Sequence, residues 1–175
     1  MAFLDESGFL LVPNVVKTWA PVGKTPLLWH SYTRDRISVI SCVTVSPGHQ
    51  RLGLYARFHS SNIRGEEVLK FLRHLLRHLR GNVELIWDGG SIHRRSIVKE
   101  FLAGQKRLHV HRFPAYTPQL NPDEFVWTKA KRDLSNGAPK DIGELGSTLR
   151  RSIRRIKSSQ KLLWSCINHS ELPWR

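Results

Sequence analysis

At 175 residues, with 28 Lys and Arg against 14 Asp and Glu, the chain carries a net charge of +14 and is long enough for one domain with its own core. Such a charge favours a polyanionic partner, because neutralising phosphates releases their condensed counterions; a ribosome-associated protein or one at a membrane surface shares it. No run approaches the ~18 apolar residues of a spanning helix, no basic and then apolar leader opens the chain, and Cys42 and Cys166 have no zinc-like spacing. Together these imply a cytoplasmic chain with reduced thiols and no membrane partner.

In chain order, residues 1–5 are apolar up to Asp5, as in a short opening strand. Residues 13–35 are irregular, punctuated by Pro13, Pro21, Gly23 and Pro26. Ile37 to Val45 is β-branched and reads as a strand, Pro47-Gly48 as a turn, and Arg51 to Phe58 alternates with a period of two, as in a paired, half-buried strand. Glu66 to Leu79 is an amphipathic helix, with Val68, Leu72, Leu75, Leu76 and Leu79 on one face and Lys70, Arg73, Arg77 and His78 on the other. Val83 to Trp87 reads as a central strand ending at Asp88, Arg95 to Leu102 as a helix, and Leu108 to Phe113 as another strand. A helix begins at Asn121 and runs to Leu134. After a break at Ser135-Asn136-Gly137-Ala138-Pro139, Ile142 to Ile156 is the last clear helix. Three strands followed by alternating helices and strands imply an α/β fold, a mixed sheet flanked by helices.

The acids stand out against this basic background. Asp5 and Asp88 each follow a predicted strand, where functional groups gather in open α/β sheets. If the strands are neighbours, the two carboxylates repel, and a divalent cation removes the conflict. Both also fit plain turns, Asp5 before Gly8 and Asp88 before Gly89-Gly90. Glu124 has two readings as well. With Asn121 as N-cap and Pro122 at the first helical position it completes a capping box; alternatively it binds metal, with Asp123 its neighbouring rival. His93 is a polar residue near a helix start or a phosphate contact near the acids. Arg150, Arg151, Arg154, Arg155 and Lys157 form a basic helix face suited to a DNA backbone or simply to solvent. The six Trp show no stacking series, and His30, His49, His59 and His74 no paired ligand spacing.

Four segments, in order, resemble the DDE catalytic domain of the mariner-like superfamily, in particular its bacterial insertion-sequence transposases. They are Asp5-Glu6-Ser7, Thr18-Trp19-Ala20-Pro21-Val22-Gly23, Trp87-Asp88 with His93, and the stretch from Pro114 through Tyr116-Thr117-Pro118-Gln119-Leu120-Asn121-Pro122-Asp123-Glu124 to Trp127. The resemblance implies a ribonuclease H-like fold with a five-stranded mixed sheet. It gives Asp5, Asp88 and Glu124 the roles of three catalytic, metal-binding acids, with His93 and Asn121 supporting them. It implies two Mg²⁺ or Mn²⁺ ions, and double-stranded DNA, both transposon ends and target, as substrate. A metal-activated water cuts a strand, and the freed 3′-hydroxyl attacks target DNA. A homodimer and a bacterial, nucleoid-associated location follow from the same likeness.

Two departures bear on that reading. Gly89 stands where the family commonly has Asn. Asp5 lies near the first residue, so the expected helix-turn-helix DNA-binding segments are absent and residues 1–175 read as one catalytic domain. Such a chain is the catalytic half of a frameshift-fused or separately encoded pair, or a truncated remnant that only binds DNA. A stand-alone nuclease of the same fold is a further alternative.

Overall fold

The protein is described here by a computed structural model that covers residues 1–12, 14–29, 33 and 35–174. Pro13 and His30, singled out above, lie outside the described residues. Five strands, β1 (Ala2–Leu10), β2 (Arg36–Val45), β3 (Leu52–His59), β4 (Val83–Trp87) and β5 (Leu108–Arg112), form one sheet in the order β3-β2-β1-β4-β5. β1, β2 and β3 pair antiparallel as a meander, and β4 and β5 add in parallel. The mixed five-stranded sheet expected from the sequence is therefore the sheet observed.

Helices cover both faces. α1 (Gly65–His78) and α2 (Ser96–Ala103) pack on one, and α3 (Pro122–Leu134), α4 (Ile142–Lys157) and α5 (Gln160–His169) on the other. The sheet divides the core in two. Alternation along β1 sends Phe3 and Phe9 toward α3–α5, and Ala2 and Leu4 toward α1 and α2. β2 is buried on both faces from Ile37 to Val45, which explains its unbroken apolar run. Trp87 and Trp127 belong to the core, whereas Trp19 and Trp29 are exposed.

The structure departs from the expected elements in two places. β1 does not end at Asp5 but continues to Leu10, because its antiparallel ladder with β2 runs without a break from Ala2↔Thr44 to Leu10↔Arg36. Asp5 is thus a mid-strand residue, and neither the strand-end nor the turn reading holds for it. α5 was not expected at all. Its buried stripe is only Leu163, Cys166 and Ile167. Ser159 caps it by accepting from the Leu162 N–H at 3.2 Å, and Gln160 anchors it to the edge strand through both backbone groups of Leu52, at 3.0 and 2.8 Å.

Leu149 of α4 is fully buried in the core between that helix and the sheet. Leu149→Ala should lower the unfolding free energy by about 2–5 kcal/mol in urea denaturation, the usual span for a cavity left by a core leucine.

Candidate active site

β1 and β4 run in parallel with Ala2 beside Leu85 and Phe3 beside Ile86. Carried two places on, that register sets Asp5 level with Asp88, just where the ladder between the strands has ended. β4 stops at Trp87, so Asp88 does stand at a strand end. Asp5 instead stands where β1 loses its β4 neighbour while still paired with β2.

Asp5 has the parity of Phe3 and faces α3. Its cross-strand partner on β2 is Ser41. Trp127 of α3 donates its indole N–H to Asp5 Oδ2 at 2.9 Å. Burial pushes the Asp5 carboxyl up to about 8, and the charges of Glu124 and then Glu6 push the same way. Asp123 lies in the same layer, fully buried, with Ser41 Oγ 2.7 Å from each of its oxygens. Burial, then the Asp5 charge, raises its pKa well above the carboxylate range and favours the neutral acid.

The start of α3 places these acids. Asn121 caps the helix by accepting from the Asp123 N–H at 3.1 Å, and Pro122 takes the first turn. The capping box foreseen for Glu124 does not form among the described residues. Asn121 closes on Asp123 alone, and the half-buried Glu124 side chain stays out of the cap. Asn121 therefore sets where the helix begins.

Asp88 is turned the other way. Its Oδ1 accepts from the Gly90 N–H at 2.8 Å and lies 3.0 Å from His93 Nδ1. The turn reading is thus realised at Asp88, with His93 as a second partner of the same oxygen. The His93 hydrogen bond, aided by Gly90, holds its pKa below the ordinary carboxylate value. An added Cβ at Gly89 would meet no atom within 4 Å, so the position has room for a side chain.

His93 sits in a 3₁₀ turn, Ser91–Arg94, and is only 4% exposed. Its Nε2 is 3.0 Å from Glu6 Oε1, and its ring stacks on Trp87 at 4.1 Å. Burial alone would lower its pKa, but the hydrogen bonds to Asp88 and Glu6 prevail and push it up to about 9. It is an enclosed imidazolium that ties β1 to the end of β4. With both nitrogens committed, it is not exposed to a phosphate.

The Glu124 charge therefore helps raise the Asp5 pKa, and His93 links Asp88 to Glu6. Among the described residues no three His, Cys, Asp or Glu side chains stand in ligand geometry as placed. The donors on offer are carboxylate oxygens, and Asp5 is burdened by neighbouring negative charge. That chemistry fits a hard divalent cation. Glu6, Ser41 and Trp127 carry no site signal of their own in the sequence. Alternation in a strand that continues past Asp5 would have put Glu6 on the opposite face and Ser41 within reach.

The basic helix face is less uniform than expected. Arg150 and Lys157 lie over the rings of Phe58 and Tyr55 on β3, at 5.1 and 5.9 Å. Arg155 is paired with Asp133 of α3 at 2.6 Å, which removes it from the unpaired set. Arg151 and Arg154 are exposed. Two hollows of about 480 and 520 Å³ lie elsewhere, lined by none of Asp5, Asp88 or Glu124.

A sheet of this order, flanked on both faces, with acids on β1, after β4 and at the start of α3, defines a protein of the ribonuclease H-like class. The chain belongs to the family described as DDE superfamily endonuclease, which matches residues 1–146. Its fold is similar to the catalytic domain of Mos1 mariner transposase, at 12% identity over 99% of this chain and 83% of that one, with a TM-score of 0.53. It is also similar to the Mos1 mariner paired end complex with Mn (14% identity, 98% of this chain, TM-score 0.63) and to the Mos1 strand transfer complex (15% identity, 99% of this chain, TM-score 0.62). The chain spans 56% and 55% of the length of those two proteins. No curated protein sequence matches it. No described helix is long and apolar enough to cross a membrane.

Both raised pKa values carry a stability consequence. The Asp5 contribution is present below the ordinary carboxylate range and is lost as pH rises through about 8. That of His93 is present below 6.5 and lost as pH rises through about 9. The metal-free protein should therefore lose stability between about pH 5 and about pH 9. Asp5→Asn keeps an acceptor for Trp127 and removes the charge. In thermal melts in chelator it should flatten that loss and melt above the wild type at alkaline pH; a slope equal to the wild type's would contradict the assignment.

Proposed function

We propose that this chain is the catalytic domain of a DNA transposase that cuts DNA strands and joins them to a target. The observation that carries the reading is Asp5, buried in a ribonuclease H-like sheet level with Asp88, with the Glu124 charge helping to raise its pKa. In this reading Asp5, Asp88 and Glu124 hold two Mg²⁺ or Mn²⁺ ions. When bound, that pair supplies Lewis-acid stabilisation of the attacking and leaving oxygens. One of the similar Mos1 structures is a complex with Mn.

The chain's own residues do the rest. Trp127 fixes the Asp5 carboxylate, His93 and the Gly90 N–H fix that of Asp88, and the Asn121 cap fixes the turn bearing Glu124. A water oxygen attacks the scissile phosphorus and the bond to the 3′ oxygen breaks. The product 3′-hydroxyl then attacks a target phosphorus, the target's own bond from that phosphorus to its 3′ oxygen breaks, and the proton of the attacking hydroxyl is balanced by the one taken up by the released target 3′-hydroxyl. Arg150, Arg151, Arg154 and Lys157 meet backbone phosphates, contacts that position a duplex without reading its sequence. Joining two transposon ends to one target calls for two such sites, so a homodimer is part of the reading.

Nicking of supercoiled plasmid DNA tests it. Mg²⁺ or Mn²⁺ should support nicking and chelator should stop it. Partners that only orient a ligand usually contribute about 10–100-fold. Glu6→Gln, which loosens His93, should therefore cost about that much, and Asp88→Asn more, with DNA affinity retained. Full nicking by Asp88→Asn, or nicking in chelator, would refute the mechanism.

A further inference from the structure

The helical face opposite α4 holds a second concentration of positive charge that the three acids do not use. A cleft of about 520 Å³ lies between β3, α1 and the chain around α2, lined by Arg57, Lys70, Arg73, Arg77, Phe101 and Arg107 among others. No residue lining it is acidic. There is no Asp or Glu between Asp35 and Glu66, between Glu67 and Glu84, or between Glu100 and Asp123. None of these cations is in a salt bridge among the described residues. His74, on the same helix, is held below the usual imidazole pKa first by burial and then by Arg57, His78, Arg77 and Lys157, so the positive field converges here.

The side chains are arranged, not merely numerous. Arg107 donates to the carbonyls of Leu76, Leu79 and Gly81, which fixes its guanidinium at the end of α1. Arg73 lies over the Phe101 ring at 5.6 Å. Fixed guanidinium forks match phosphate oxygens better than mobile ammonium groups do. The cleft is also not isolated. β3 is an edge strand, and Tyr55 on it has Lys157 of α4 at 5.9 Å and the rings of His74 and His78 at 6.5 and 5.8 Å. A positive band therefore runs round the sheet edge from α4 to α1.

From this placement we propose that the α1–β3 cleft is a second phosphate-binding site, taking the backbone of a nucleic-acid segment apart from the one at the acids. The proposal rests on the DNA-acting reading only for the kind of polyanion. A concave, guanidinium-lined cleft with one aromatic, already covered by Arg73, offers phosphate contacts and no apolar anchor of the sort a membrane surface takes.

The test is the salt dependence of binding to a short duplex of random sequence, in chelator, so that cleavage plays no part and a catalytically dead chain serves equally well. Lys70, Arg73 and Arg77 are exposed, so Lys70→Gln/Arg73→Gln/Arg77→Gln should fold and melt as the wild type does. A matched control, Lys17→Gln/Lys24→Gln/Lys140→Gln, removes the same charge at exposed positions outside the cleft. The cleft variant should flatten the log–log salt slope by about 2.7, at about 0.9 per lost phosphate contact, and the control much less. An unchanged slope in the cleft variant, an equal change in the control, or cleft-dependent binding to anionic lipid vesicles with the DNA slope unaltered would each overturn the proposal. Loss of nicking by Asp88→Asn with the cleft slope intact is the separate signature of the acid site.

Discussion

Asp5 is buried where β1 parts from β4, and the charges of Glu124 and then Glu6 add to the effect of burial in raising its pKa. That repulsion is the constraint around which the site is built. A buried carboxylate without a compensating cation is driven toward its neutral form. The fold eases the conflict in several ways. The Trp127 indole donates to Asp5, Ser41 holds Asp123, and the His93 imidazolium lies between Glu6 and Asp88. None of these cancels the charge between Asp5 and Glu124, and that residue of unfavourable energy is what a divalent cation would remove.

Strand geometry decides which partner each acid meets. Adjacent residues on β1 point to opposite faces, so Asp5 meets α3 while Glu6 meets the 3₁₀ turn carrying His93. One dipeptide thus serves both layers of the domain. The N-terminus of α3 brings its own preference. Asp123 and Glu124 lie in its first turn, where the helix dipole favours negative charge. A helix end therefore offsets part of the cost of gathering acids there, and Asn121 and Pro122 set its start to the residue.

Most of this was legible in the sequence, for identifiable reasons. The β-branched run of β2, the leucine stripe of α1 and the Val83–Trp87 strand carry strong periodic patterns, and each was located to within a residue or two. Asp5-Glu6-Ser7-Gly8 was misread as a strand end because its polar composition mimics a turn. Continuous pairing with β2, a non-local fact, keeps it extended. α5 escaped because three buried positions make a faint stripe and its anchor, Gln160 to Leu52, crosses most of the chain. The burial of His93 and the Arg155–Asp133 pair were equally out of reach, since both depend on which elements meet. The resemblance singles out the three acids by motif order, and the structure shows their unequal surroundings. Asp5 is buried and strained by charge, whereas Asp88 is exposed and held by hydrogen bonds.

A calorimetric Mn²⁺ titration near neutral pH, repeated in buffers of different ionisation enthalpy, tests the central claim most directly. Because the Asp5 pKa is raised to about 8, Mn²⁺ binding should release about one proton per chain. Asp5→Asn should abolish that release and Glu124→Gln should weaken binding. Tight Mn²⁺ binding without proton release, or binding unaffected by either substitution, would contradict the account.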